Sequence, residues 1–182
     1  MPHRRKQEEE ETMKLYARQK IFSLRTVFNI VDEHNNPRYG VRGEIFTFGR
    51  RLHVLNDRGM EAALVRQRIF RFLPTYDIYI DGRLAATIIK RFTFFRPSYV
   101  IRDCNWTVEG NFLAHDYTMY DGMGRAAATI HKTWFTIGDC FELDVRDRKD
   151  ELLAVCMMLA IDCVMDDDAA AASAANTANT AN

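Results

Sequence analysis

The run LLAVCMMLAIDCVM at residues 152–165 constrains the fold more than any other feature of this 182-residue chain. Helix formers dominate it, and Asp162 is its one charged position. A helix that is apolar on every side has to be buried on every side. Crossing a bilayer takes roughly 20 apolar residues. This run is shorter, carries Asp162, and is stopped by Asp166-Asp167-Asp168. The container it predicts is therefore protein: a sheet wrapped around one central helix.

Composition supplies the material for such a core, with 47% apolar and 12% aromatic residues. The formal charge is zero but unevenly spread, because Glu8–Glu11 and Asp166–Asp168 concentrate acid at the two ends. The body between them is mildly basic, too weakly to specify a nucleic-acid partner. Cys104, Cys140, Cys156 and Cys163 form no CxxC pair or metal-ligand spacing. The N-terminus has no apolar signal region. These features predict a reduced, cytoplasmic protein with no cofactor, no metal and no transmembrane segment.

Residues 1–13 are charged, lack an apolar face, and read as a flexible arm. Residues 166–182 are acidic and then low-complexity, rich in alanine, and read as a disordered tail or loose local helix. The domain is 14–165. Within it, short β-branched and aromatic runs alternate with turn signals. The turns are His34-Asn35-Asn36-Pro37, Asn56-Asp57-Arg58-Gly59, Asp81-Gly82 and Asp121-Gly122-Met123-Gly124. Asp81-Gly82 between two apolar runs predicts a two-residue hairpin. Strands recurring at this spacing mark a sandwich or barrel. An internal repeat reinforces the barrel. Val41-Arg42-Gly43 corresponds to Val108-Glu109-Gly110, while Gly59, Ala62, Ala63, Val65 and Gln67 correspond to Gly124, Ala127, Ala128, Ile130 and Lys132. A basic residue followed by an aromatic also recurs, in Lys20-Ile21-Phe22, Arg68-Ile69-Phe70, Lys90-Arg91-Phe92 and Lys132-Thr133-Trp134.

The segments MKLY (13–16), QKIFS (19–23), FGRRLHV (48–54), FTFFRPSY (92–99), WFTIGD (134–139) and LAIDCV (159–164) resemble, in order and spacing, the LURP-one-related family of the tubby C-terminal-like superfamily. The resemblance covers essentially all of 14–165. It implies a mainly β fold: a tubby-like closed antiparallel β-barrel of about twelve strands enclosing a C-terminal hydrophobic central helix. Fold relatives include tubby proteins and phospholipid scramblases, which implies a connection to lipids at superfamily level only. Tubby domains bind phosphoinositides through basic surface residues that have no residue-by-residue counterparts here.

Candidate chemistry falls in three groups. Asp162 reads as a structural buried carboxyl that hydrogen-bonds a loop amide or an arginine. His115-Asp116, with His53 or His131 as a further base, is the nearest thing to a catalytic pair. Neighbours on a strand point to opposite faces, and no nucleophile elbow, HExxH helix or phosphate loop is present, so no catalytic residue is assigned. The basic residues Arg50, Arg51, Lys90, Arg91 and Arg96, with Arg66, Arg68 and Arg71 in the preceding repeat, are the candidate anionic-ligand site. The aromatics of the repeats (Phe22, Phe70, Phe72, Phe92, Phe94, Phe95, Trp134, Phe135) read as core packing around the helix. The function expected is a non-enzymatic binding module for an anionic lipid head group, a phosphorylated ligand or a partner protein. The alternative is scramblase-like or hydrolytic activity at the barrel mouth.

Overall fold

Alternation of apolar and polar residues turns one side chain in two inward, as with Leu52 and Val54 or Ala63 and Val65. Twelve segments of this kind make one antiparallel sheet. The structure is a computed structural model that describes residues 12–18, 27–44, 48–93, 96–135 and 138–180. In chain order its strands are β1 (Met13–Arg18), β2 (Val27–Asp32), β3 (Pro37–Glu44), β4 (Arg51–Leu55), β5 (Glu61–Gln67) and β6 (Thr75–Ile80). They continue as β7 (Arg83–Lys90), β8 (Tyr99–Arg102), β9 (Thr107–Asn111), β10 (Asp116–Tyr120), β11 (Ala126–Phe135) and β12 (Gly138–Val145). The sheet order runs from β8 down to β1, then from β12 down to β9. β1 pairs with β12, Met13 opposite Val145, so strands from the two ends of the domain close the sheet. β8 and β9 lie side by side without a hydrogen-bonded ladder, which leaves the barrel nearly closed with one seam.

Helix α1 (Glu151–Thr180) runs through the barrel, and every residue from Ala154 to Val164 is buried. Each large apolar side chain removed from water there contributes about 1.5–3 kcal/mol before entropy. At its start Glu151 is buried and gripped by Arg38 of β3, whose Nη2 donates to both carboxylate oxygens at 3.0 and 3.1 Å. A carboxylate also suits the positive end of the helix dipole. One expectation is corrected here. The chain beyond residue 165, read as a disordered tail or loose local helix, is not a separate tail but continues α1 through Asp166–Asp168 to Thr180. Alanine is the best helix former, and a helix already nucleated inside the barrel extends at little cost. Residues 1–11 of the expected N-terminal arm lie outside the described residues. Among the described residues no helix is long and apolar enough to cross a membrane.

The internal repeat is structural. β3, β4 and β5 correspond to β9, β10 and β11, and the pleat irregularities match as well, at Val54/Leu55 and at Met119/Tyr120. The turns match atom for atom. Asn56 Oδ1 accepts from the amides of Arg58 and Met60 at 3.0 Å, and Asp121 Oδ1 from those of Met123 and Arg125 at 2.8 and 3.0 Å. Asp32 does the same for His34 and Asn36 in the β2–β3 link. The Asp81-Gly82 hairpin joins β6 to β7 with both residues at positive φ, 50° and 72°, as its tight turn requires.

Candidate functional site

Strand direction sorts the links into two ends. The three Asx turns, the Asp81-Gly82 hairpin and the start of α1 lie at one end. The register of β3 with β4, β5 with β6 and β7 with β8 gathers the longer links at the other. This second end is the mouth, where α1 emerges. Of the described residues it holds 48–50, 68–74, 91–93 and 96–98, and with them most of the basic residues singled out from the sequence.

The mouth divides those residues by what they touch. Arg50, just before β4, donates from Nη2 to Asp166 Oδ2 at 2.8 Å and lies 3.5 Å from Asp167 Oδ1. Its backbone is tied to Gln67: the Arg50 amide donates to the Gln67 side-chain carbonyl at 3.0 Å, and the Gln67 amide donates back to Arg50 O at 2.8 Å. The same Gln67 side chain donates from Nε2 to Asp167 Oδ2 at 2.8 Å, and Tyr76 OH donates to that oxygen at 2.7 Å. Lys90 Nζ is 2.5 Å from Asp168 Oδ2. Burial pushes the Asp167 carboxyl above its ordinary value, against the pull of the Tyr76 hydroxyl and Arg50.

Arg51 sits apart from this group, on the outer surface against Glu44 at 3.4 Å. Arg68 binds the buried Asp77 at 2.7 Å, and Arg66 lies over the Tyr79 ring and donates to its hydroxyl at 2.7 Å. Arg71, Arg91 and Arg96 are exposed, and no carboxylate among the described residues pairs with them. The sequence therefore groups residues that the fold separates: two held by α1, one on the outer wall, and a free trio that includes Arg71.

The aromatic expectation is corrected. Phe70 and Phe72 are 95% and 94% exposed, Phe92 69%, and Phe48 in the neighbouring link 88%. They occupy links rather than strands, so the pleat never turns them inward. Phe70 also has φ of 57°, in the left-handed region that bulky side chains avoid. Pro74 closing the segment RIFRFLP, with arginine between the phenylalanines, was the available sign of a loop. Phe22, Phe94 and Phe95 lie outside the described residues, as do the side chains of Trp134 and Phe135.

Among the described residues His53, His115 and His131 are each turned to a carboxylate. His131 Nδ1 is 2.9 Å from Asp116, while the adjacent His115 faces Asp162. His53 Nε2 is 2.7 Å from Glu44, and its Nδ1 contacts Glu61. Burial opposes the charge on His53, but the hydrogen bonds to Glu61 and Glu44 outweigh it and hold the imidazole above its ordinary value. Among the described residues no three His, Cys, Asp or Glu side chains group to hold a metal.

Asp162 is buried on α1, with neither of its expected partners. His115 Nδ1 lies 3.8 Å from its Oδ1, beyond hydrogen-bond reach, and its Oδ2 has no partner among the described residues. The imidazole arrives from the link between β9 and β10.

The likeness to known proteins follows the same outline. The chain is 27% identical over 156 residues to the Bacillus subtilis (strain 168) protein YxjI, itself uncharacterized, covering 86% of this chain and 96% of that protein. An Arabidopsis thaliana protein solved by X-ray crystallography superposes with a TM-score of 0.61 at 16% identity, over 84% of this chain and 91% of that one, a likeness of fold. The profile of the LURP-one-related family matches residues 13–162, from the first residue of β1 to Asp162 inside the barrel. Barrel, enclosed helix and sequence thus agree that this chain belongs to the LURP-one-related family.

Proposed function

We propose that the chain is a non-enzymatic binding module that docks onto an anionic lipid surface through the mouth of its barrel. One observation carries this reading: exposed phenylalanines alternate with unpaired arginines on the mouth links. Phe70, Arg71 and Phe72 are consecutive, Arg91 and Phe92 are adjacent with Arg96 further along the same link, and Phe48 stands on the link before β4. Large apolar side chains exposed together at one end of a fold suit a contact site. Arginine beside it suits the lipid–water boundary, where each basic residue near an anionic leaflet adds about 1 kcal/mol. A free phosphate would call for the arginines alone. The aromatics add a reason to enter a bilayer. The left-handed backbone of Phe70 adds a second, because strain retained at an exposed side chain is typical of a working surface.

The test is sedimentation of the full chain with phosphatidylcholine vesicles, with and without phosphatidylserine, at low and high salt. Binding is expected to require phosphatidylserine and to weaken with salt. Reversing Arg71, Arg91 and Arg96 to glutamate should weaken it by at least about 100-fold, and Phe70→Ser with Phe72→Ser should remove the part that survives high salt. No sedimentation at low salt, or sedimentation indifferent to both variants, overturns the reading. Competition by inorganic pyrophosphate, with the phenylalanine variant unaffected, would instead identify a soluble phosphate ligand.

A further inference from the structure

Arg50 and Lys90 belong to the same mouth as the unpaired arginines, yet both are occupied by α1. Asp166, Asp167 and Asp168 are consecutive on the helix where it leaves the barrel, and each carboxylate is received by a mouth residue: Arg50, then Gln67 and Tyr76, then Lys90. The core does not require these acids, because the fully buried part of the helix ends at Val164. Three adjacent like charges also repel one another, so only the donors facing them make the arrangement favourable. Arg50 and Lys90 keep 31% and 23% of their side chains exposed, within reach of an incoming anion.

We infer that the acidic turn Asp166–Asp168 is a built-in occupant of the anion site, and that it competes with an external anionic surface for Arg50 and Lys90. This rests on the reading above and adds its regulation. The three carboxylates are carried on one helical turn anchored inside the barrel, so they act at high effective concentration. A single phosphate must compete with all of them. A surface that presents many head groups at once displaces them more readily, which makes the mouth a threshold detector of anionic density. Arg71, Arg91 and Arg96 make the first encounter, and Arg50 and Lys90 join once the turn is displaced.

A double-mutant cycle on the full chain tests this, with phosphatidylcholine–phosphatidylserine vesicles as the probe. The variant with Asp166→Asn, Asp167→Asn and Asp168→Asn keeps shape and can still accept from Gln67 and Tyr76. It should bind about tenfold tighter or better than the wild type, and at a lower phosphatidylserine fraction. In a background of Arg50→Gln and Lys90→Gln the same three changes should gain little. An equal gain in both backgrounds means that the acids act only through bulk charge, and overturns the inference. No gain in either overturns it too, while wild-type binding leaves the docking reading standing. If neither the wild type nor the neutralised variant binds, the docking reading itself fails. A neutralised variant that binds where the wild type does not supports occupation of the site by the acidic turn and overturns docking by the wild-type chain. Thermal melts check the fold, and should the triple variant not fold, Asp168→Asn crossed with Lys90→Gln repeats the cycle on one pair.

Discussion

Asp162 is a carboxyl group that α1 buries inside the barrel, and its surroundings decide its charge. Burial pushes its acid well above the ordinary carboxylate range, and Asp166 adds to that while Arg50 opposes it. Burial, with Lys132 nearby, pulls His115 below its ordinary value. Burial thus works against charge on both sides of the 3.8 Å contact, holding the proton on Asp162 past its ordinary value and off His115 below its own. The consequence for stability has a definite sign. Above the unfolded value of about 3.9, the unfolded chain releases a proton that folded Asp162 retains, so stability falls as pH rises toward the folded value. Asp162→Asn removes that dependence while keeping shape. Its stability relative to wild type should rise by on the order of 1 kcal/mol per pH unit from about pH 4 upward. Urea unfolding across that range measures it, and parallel profiles for the two proteins would overturn the assignment. The sequence marked Asp162, because it alone is charged in an apolar run. His115 was not legible as its neighbour, since forty-odd residues and three strands lie between them. Gly110 was similarly half-visible. The repeat singles it out, but only the fold shows that a Cβ there would lie 2.5 Å from Tyr117 Cα.

Elements are more legible than residues wherever a period governs them. Strands announce themselves by alternation, and two of the Asx turns by Asn56 and Asp121 at their first positions, whereas the third shows only as His34-Asn35-Asn36-Pro37 and its Asp32 emerges with the fold. The buried half of α1 follows from having no polar face to show to water. The prediction at this scale is that Leu159→Asp leaves no soluble folded monomer, because Leu159 is fully buried and an unpaired carboxylate there has no partner. Ala172→Asp, on the exposed extension of the same helix, should leave the melt within about 0.5 kcal/mol of wild type. A normal melt for Leu159→Asp would remove the axial helix from the core. Where no period operates, the sequence misleads. Phe70 and Phe72 carry the composition of a core and lie in a link, and the alanine-rich stretch after Asp168 carries the composition of disorder yet prolongs a helix. In both cases the outcome depends on what stands next to the segment, on the mouth or in the barrel.

At the scale of the whole molecule, the barrel is two related three-stranded units joined by strands that belong to neither. β3–β5 and β9–β11 are the units, β6–β8 extend the first, and β12 ties the second to β1. No local signal in the sequence pairs Met13 with Val145; the pairing follows from burying α1 on all sides. That closure is uneven. β8 spans four residues and has a ladder only to β7, β9 spans five and has one only to β10, and nothing hydrogen-bonds across the seam between them. Backbone groups on those two edges lack the second partner that every other strand has. Opening there breaks no ladder, although it parts Tyr99 from Phe112, whereas opening between β5 and β6 breaks a ladder and exposes Val65, Ile78 and the face of α1. Native-state hydrogen exchange should therefore find β8 and β9 the least protected strands, opening well below the global unfolding free energy, with β5, β6 and β12 among the most protected. The tether of α1 to the mouth lies on the protected side, through β4, β5, β6 and β7, so the seam is expected to breathe while Asp166–Asp168 stay seated. Uniform protection around the ring would mean that β8 and β9 are held as firmly as a laddered pair, and the barrel would then have to be described as fully closed.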